Sequence, residues 1–279
     1  MNLIYLSYLI IIFMPLFSLT LNLEGAKFCN FPTPTGTNVT DKTFFINGHK
    51  DFGGQRIIYN GQKGTCNPNI PKNWESVIII QDGGSVSNVI LGASPDGTSS
   101  DICCLGSCTL NNVFWENVCW RAASFRAPTG FNREQKNKGG TSKEFTYTVN
   151  GGGALDGFQK IFDQSGPGKS IINKFCAANC EIALRSCGDC GLQYQRGLTI
   201  TDSKFMGPGL TIIGANANLK DQVTLSNVEV YGYNNPKTKI AFACSEYNPP
   251  SDNYVGYEPG KAGTGTSCKY GAGAVTVIN

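Results

Sequence analysis

Val86-Ser87-Asn88-Val89-Ile90 and Leu110-Asn111-Asn112-Val113-Phe114 share one pattern: an apolar residue, a short polar step ending on Asn, then a renewed apolar pair. The pattern returns as Ile200-Thr201-Asp202-Ser203-Lys204-Phe205 and as Leu225-Ser226-Asn227-Val228-Glu229-Val230, with a fainter copy at Ile171-Ile172-Asn173-Lys174-Phe175. Its Asn or Asp falls at 88, 112, 173, 202 and 227, so successive spacings are 24, 61, 29 and 25 residues. A period in the twenties, with β-branched residues in the strands and Asn at the bends, marks a solenoid whose repeats bury their apolar faces against one another. The long gap holds a strand from Thr146 to Val149 and a polar stretch from Pro128 to Lys143 that reads as an inserted loop, leaving room for one further coil.

The same short strands could build a β-sandwich, but a sandwich needs no fixed period. Asn and Asp tolerate the left-handed backbone of a coil corner. Runs such as Val77-Ile78-Ile79-Ile80 suit strands buried along their length better than hairpins with one wet face. The expectation is an all-β, single-domain right-handed parallel β-helix with Asn88, Asn112, Asp202 and Asn227 at equivalent corners of different coils. Gly151-Gly152-Gly153 lacks the Gly-Lys-Ser/Thr of a phosphate loop and reads as a tight corner. The Gly-rich tail from Tyr254 to Tyr270 reads as an irregular cap, and Trp115, Phe114 and Phe125 as core aromatics.

Composition agrees with a turn-rich β protein. Of 279 residues 34 are glycine, and charged residues make up only 15%. The net charge of +3 comes without a dense basic run, which argues against a nucleic-acid partner. His49 is the only histidine, so chemistries that depend on imidazole pairs are excluded. An almost unbroken apolar run from Leu6 to Leu19 opens the chain. It reads as a signal peptide over 1–20, with cleavage between 18 and 26, followed by a β-helix domain over 27–279. The expected protein is secreted, monomeric and free of the membrane once cleaved. Twelve cysteines follow, an even number suited to an oxidising compartment. Most should be paired, with Cys187 or Cys190 joined to a cysteine near Cys176 or Cys180. Asn38-Val39-Thr40 is a glycosylation sequon, which would mark a surface loop if used.

Several ordered pieces carry a family resemblance. Phe31-Pro32-Thr33-Pro34-Thr35-Gly36, Asp51-Phe52-Gly53-Gly54, Asp82-Gly83-Gly84-Ser85-Val86-Ser87-Asn88-Val89-Ile90-Leu91-Gly92, Gly106-Ser107-Cys108-Thr109-Leu110-Asn111-Asn112-Val113-Phe114-Trp115-Glu116, Gly151-Gly152-Gly153-Ala154, Lys160-Ile161-Phe162 and Arg185-Ser186-Cys187-Gly188-Asp189-Cys190 follow one another as in pectate lyases of polysaccharide lyase family 3. The resemblance implies a secreted β-helix enzyme, of microbes or plant-parasitic nematodes, that cleaves polygalacturonate by calcium-dependent β-elimination. Such chemistry needs cations that neutralise a uronate carboxylate and a base that takes the proton on C5.

By this resemblance Lys160 is the base and Arg185 a binder of substrate carboxylate. The opposite assignment is chemically harder, because guanidinium rarely releases a proton. The calcium segment departs from the family. The phrase Trp-Glu-Asp-Val-Cys-Glu-Asp-Ala stands here as Trp115-Glu116-Asn117-Val118-Cys119-Trp120-Arg121-Ala122, and the family's upstream Asp falls on Ser100. Glu116 with Asp101, or Asp96 after a shift, would be the remaining ligands. Arg121 is expected to supply positive charge, Trp120 a sugar-stacking face, and Arg196 a further substrate contact. The alternatives are a pectin-binding or host-interacting effector on the same fold, and a structural solenoid with no carbohydrate site.

Overall fold

The computed structural model describes residues 23–61, 76–93, 100–128, 143–251 and 253–279. The apolar run from Leu6, Asp96 and most of the expected inserted loop lie outside these residues. No helix among the described residues is long and apolar enough to cross a membrane.

The chain winds as a right-handed parallel β-helix with three stacks of strands. In the first stack Val86, Leu110, Val149, Ile172, Ile200 and Leu225 lie in register, each directly over the last. All six are at most 5% exposed, so one apolar position per coil builds a continuous column inside the solenoid. The second stack carries Leu91, Trp115, Ala154 and Ala177 in the same manner. The third carries Ile78, Ile102, Ala123, Phe162, Leu184, Ile213 and Cys244. Phe125 stacks between Tyr147 and Phe162 with centroids 5.0 and 5.6 Å apart, and Trp115 is fully buried against Phe162 and Phe175. The half-buried Phe114 instead meets Phe31 edge-on, under the segment tied down by the Cys29–Cys176 disulfide.

The corner between the first and second stacks is where the recurring amides act. Asn88, Asn112, Asp202 and Asn227 have φ of 54°, 52°, 49° and 51°. Their side chains bond along the solenoid axis: Asn88 donates to Asp51 (3.0 Å), Asn112 to Asn88 (3.3 Å) and Asn227 to Asp202 (2.7 Å). On the coil of the fainter copy the left-handed residue is Lys174 (φ 54°), one position after Asn173. Asn173 is still in the strand and accepts a hydrogen bond from Thr201 Oγ1 (3.1 Å). The missing coil of the long gap turns at Gly151 (φ 68°), where a Cβ would lie 2.7 Å from Asn112 Oδ1. Glycine takes that left-handed turn with no Cβ to press on the Asn112 side chain.

Asn227→Ala is expected to destabilise the fold by about 1–2 kcal/mol, because alanine resists a left-handed backbone and removes the bond to Asp202. Asn227→Gly should cost less than half as much in a denaturant titration. Equal losses would show that backbone strain is not what selects Asn there.

The covalent map corrects one expectation. Cys187 bonds Cys190 and Cys176 bonds Cys29, while Cys104–Cys108 and Cys244–Cys268 close two further loops. Cys187 and Cys190 are three residues apart across a tight turn with Cα atoms at 5.8 Å, inside the usual bridging range, so no partner near Cys180 is needed. Cys119 is also bonded, and Cys103 and Cys180 are free. The sequon is likewise not on a loop: exposed Asn38 belongs to strand Thr37–Thr40. The tail does cap the solenoid. Tyr254–Tyr257 pairs antiparallel with Ile240–Tyr247, and buried Glu246 accepts backbone N–H groups of Ser267 and Cys268. Beyond the tail, Val275–Ile278 rejoins the second stack beside Gln222–Tyr231.

Candidate active site

Ile161 and Phe162 are adjacent yet both belong to the core, so the chain turns there and enters the third stack. Successive strand residues would point to opposite faces. The turn leaves Lys160 and Asp163 on the same outer side, with Lys160 Nζ 3.3 Å from Asp163 Oδ1. The coil before repeats the arrangement. Ala123 pairs with Phe162 and Ser124 with Asp163, so Arg121, two residues before Ala123, occupies the place on its coil that Lys160 has on the next. Arg121 Nη1 lies 2.8 Å from Asp163 Oδ2. On the coil after, Arg185 is the direct register partner of Asp163. One carboxylate thus sits among three cationic side chains from three consecutive coils.

Asp163 is 3% exposed, against 15% for the Arg121 and 17% for the Lys160 side chain. Burial alone would push its carboxyl upward, but Arg121, Lys160 and Arg126 outweigh that and hold it well below the usual carboxylate range. Asp163 is therefore ionised at neutral pH. The carboxylate is the residue that sequence reasoning missed. Its only signal was an acidic residue three positions after Lys160, a spacing that a regular strand sends to the opposite face.

Arg185 lies flat on Tyr247, its guanidinium carbon 3.6 Å from the ring centroid. Room for this comes from Gly214 on the next coil, where a Cβ would sit 2.9 Å from Arg185 Cδ. Nη1 of Arg185 is buried without a hydrogen-bond partner among the described residues. Burial lowers the guanidinium's pKa, while Tyr247, Asp163, Asp221 and Asp189 act against the shift. A groove of about 470 Å³ containing Asp156, Asn179, Glu181 and Pro208 runs beside Lys160, whose strand partner Ile182 follows Glu181. Burial raises the Glu181 carboxyl, and Lys160 opposes that.

Other expected site residues are placed elsewhere. Arg196 has to be corrected: it is 1% exposed, and its guanidinium donates to the carbonyls of Ser165 (2.9 Å), Gly166 (3.2 Å) and Cys187 (3.1 Å) and to Ser186 Oγ (3.1 Å). It fastens the Cys187 turn to the solenoid and has no face toward a polymer. Trp120 is also corrected as a stacking platform. It sits in a turn at φ 69° and is only 7% exposed, so its indole is packed inward.

The carboxylates offered as metal ligands do not converge. Glu116 accepts Arg56 Nε at 2.9 Å and pairs with its Nη2. Asp101 is 1% exposed and accepts the hydroxyls of Ser76 (2.8 Å) and Ser124 (2.9 Å); burial raises its pKa against Arg126 and these bonds. Ser100 Oγ takes the Cys119 N–H (3.1 Å). Among the described residues, the one cluster of three metal-ligand side chains is Cys187, Asp189 and Cys190, whose sulfurs are in a disulfide.

Comparison with known proteins extends this picture to most of the chain. Residues 29–253 match the family model described as Pectate lyase. "Probable pectate lyase D" of Emericella nidulans is 30% identical over 258 residues, covering 91% of this chain and 87% of that protein. "Probable pectate lyase E" of Aspergillus flavus is 31% identical over 244 residues, covering 86% and 83%. Pectate lyase PelI from Erwinia chrysanthemi, solved in complex with tetragalacturonic acid, superposes with a TM-score of 0.60 at 25% identity, covering 86% of this chain and 70% of that one. The catalytic domain of the same enzyme gives 0.62 at 24% identity, with coverages of 88% and 98%. With the solenoid matched nearly end to end and a basic cluster built on three of its coils, this chain belongs to the pectate lyase family.

Proposed function

We propose that this protein is a pectate lyase that cleaves α-1,4-linked polygalacturonate by β-elimination, secreted after loss of a signal peptide over 1–20. The observation that carries the reading is the grouping of Lys160, Arg121 and Arg185 around buried Asp163 on the outer face of the third stack. The Arg185 guanidinium, held flat on Tyr247, is the cation a uronate carboxylate would meet.

In the reaction Lys160 Nζ, in its neutral form, removes the proton from C5. The electron pair forms the C4–C5 double bond, the C4–O glycosidic bond breaks, the departing oxygen takes a proton from water, and Lys160 returns the C5 proton to solvent. Negative charge building on the substrate carboxylate is met by Arg185, whose charge is fixed by its position on Tyr247 and Gly214. Asp163 orients the base: whether Lys160 is an ammonium or an amine, it can still donate one N–H to this carboxylate and so aim the rest of the head group outward. Pectate lyases generally use calcium. The donors here do not suit it, since Glu116 and Asp101 are separately engaged and Arg121 stands where a ligand would be.

Purified protein should release unsaturated uronides, detected by ultraviolet absorbance, from polygalacturonate at alkaline pH. Failure on both polygalacturonate and methylated pectin, with calcium and without, would remove the lyase reading.

A further inference from the structure

We infer that Arg121 does with a fixed charge what a bound divalent cation would do at this site, so that the protein grips its acidic polymer without metal. The inference rests on the lyase reading and adds a residue to it.

Placement is the first argument. Arg121 and Lys160 hold equivalent positions on neighbouring coils, about 5 Å apart along the axis by strand spacing, so a carboxylate held by one is within reach of the other. The second argument is rigidity. Asp163 is nearly fully buried and clamps Arg121 at 2.8 Å, which fixes where the guanidinium sits before substrate arrives. A planar guanidinium also matches a carboxylate edge, as a point ion does not.

Charge gives the third argument. Arg121 and Lys160 both pair with Asp163, and Arg185 is its register partner on the next coil, so cationic side chains from three coils converge on one stretch of the wall. Guanidinium and ammonium groups so placed attract a uronate carboxylate. Of the two carboxylates expected to hold a cation, Glu116 is paired with Arg56 and Asp101 is bonded to two serine hydroxyls.

The test is calorimetric titration of tetragalacturonate into the full secreted chain, once with chelator and once with calcium, at a pH where turnover is slow. Wild type should bind equally well, within about twofold, in both. Arg121→Gln should weaken binding by roughly 10- to 100-fold, the range for loss of a charge-assisted hydrogen bond. Arg121→Lys, which keeps the charge and guards against misfolding of the glutamine variant, should recover most of the loss. The double change Trp120→Glu/Arg121→Asp should make binding depend on calcium. A tenfold gain in wild-type affinity on adding calcium would overturn the inference while leaving the lyase reading in place. So would unchanged affinity in a folded Arg121→Gln protein. Absence of binding under every condition would overturn both.

Discussion

Lys160→Ala is expected to lower kcat/KM on polygalacturonate by about 10²–10⁴, the span for loss of a positioned general base. The informative companion is Lys160→Arg. Arginine keeps a cation beside Asp163 and should hold the melting temperature near that of wild type, but guanidinium does not shed its proton at any usable pH. It should therefore be nearly as inactive as the alanine variant. Loss in kcat with little change in KM is the expected division, because proton abstraction belongs to the chemical step. If Lys160→Arg kept more than about a tenth of wild-type activity, the base would have to be another group.

Asp163→Ala is expected to cost about 3 kcal/mol of folding stability. Removing one member of a buried pair usually costs about 3–5 kcal/mol, and the lower end applies because Arg121 and Lys160 retain 15% and 17% exposure and can turn partly to water. The sign with pH follows from the direction of the shift. Asp163 has a folded pKa below its unfolded value of about 4, so its contribution is present above that value and is lost as pH falls toward the folded one. The stability gap between wild type and variant should be widest near neutrality and shrink below about pH 4. Buried Asp101 and Asp221 are shifted upward and work in the opposite sense, but both proteins contain them, so the difference cancels their effect. A gap that stayed constant down to pH 2 would mean that the Asp163 charge contributes nothing.

Much of the architecture was legible because solenoid repeats are local. Each phrase specifies its own strand and corner, and the amide at 88, 112, 202 or 227 needs only its backbone angle to be recognised. Where a corner used glycine or lysine, at Gly151 and Lys174, the pattern faded, since neither residue announces a left-handed turn in the way a stacked amide does. Lys160 and Arg185 were visible through family phrases. Arg196 was read by its residue type alone, and type does not reveal that five neighbouring oxygens absorb its donors.

The sequence by itself determined the period, the apolar columns, the amide corners and the replacement of an acidic pair by Trp120-Arg121. Only the tertiary structure decided that Asp163 is the centre of the site. Arg121, Lys160, Asp163 and Arg185 span three coils and 65 residues of chain, and what brings them together is the register between strands and the corner at Ile161–Phe162. That corner overrides the two-residue alternation a strand would impose, and it joins through space charges that chain order keeps apart.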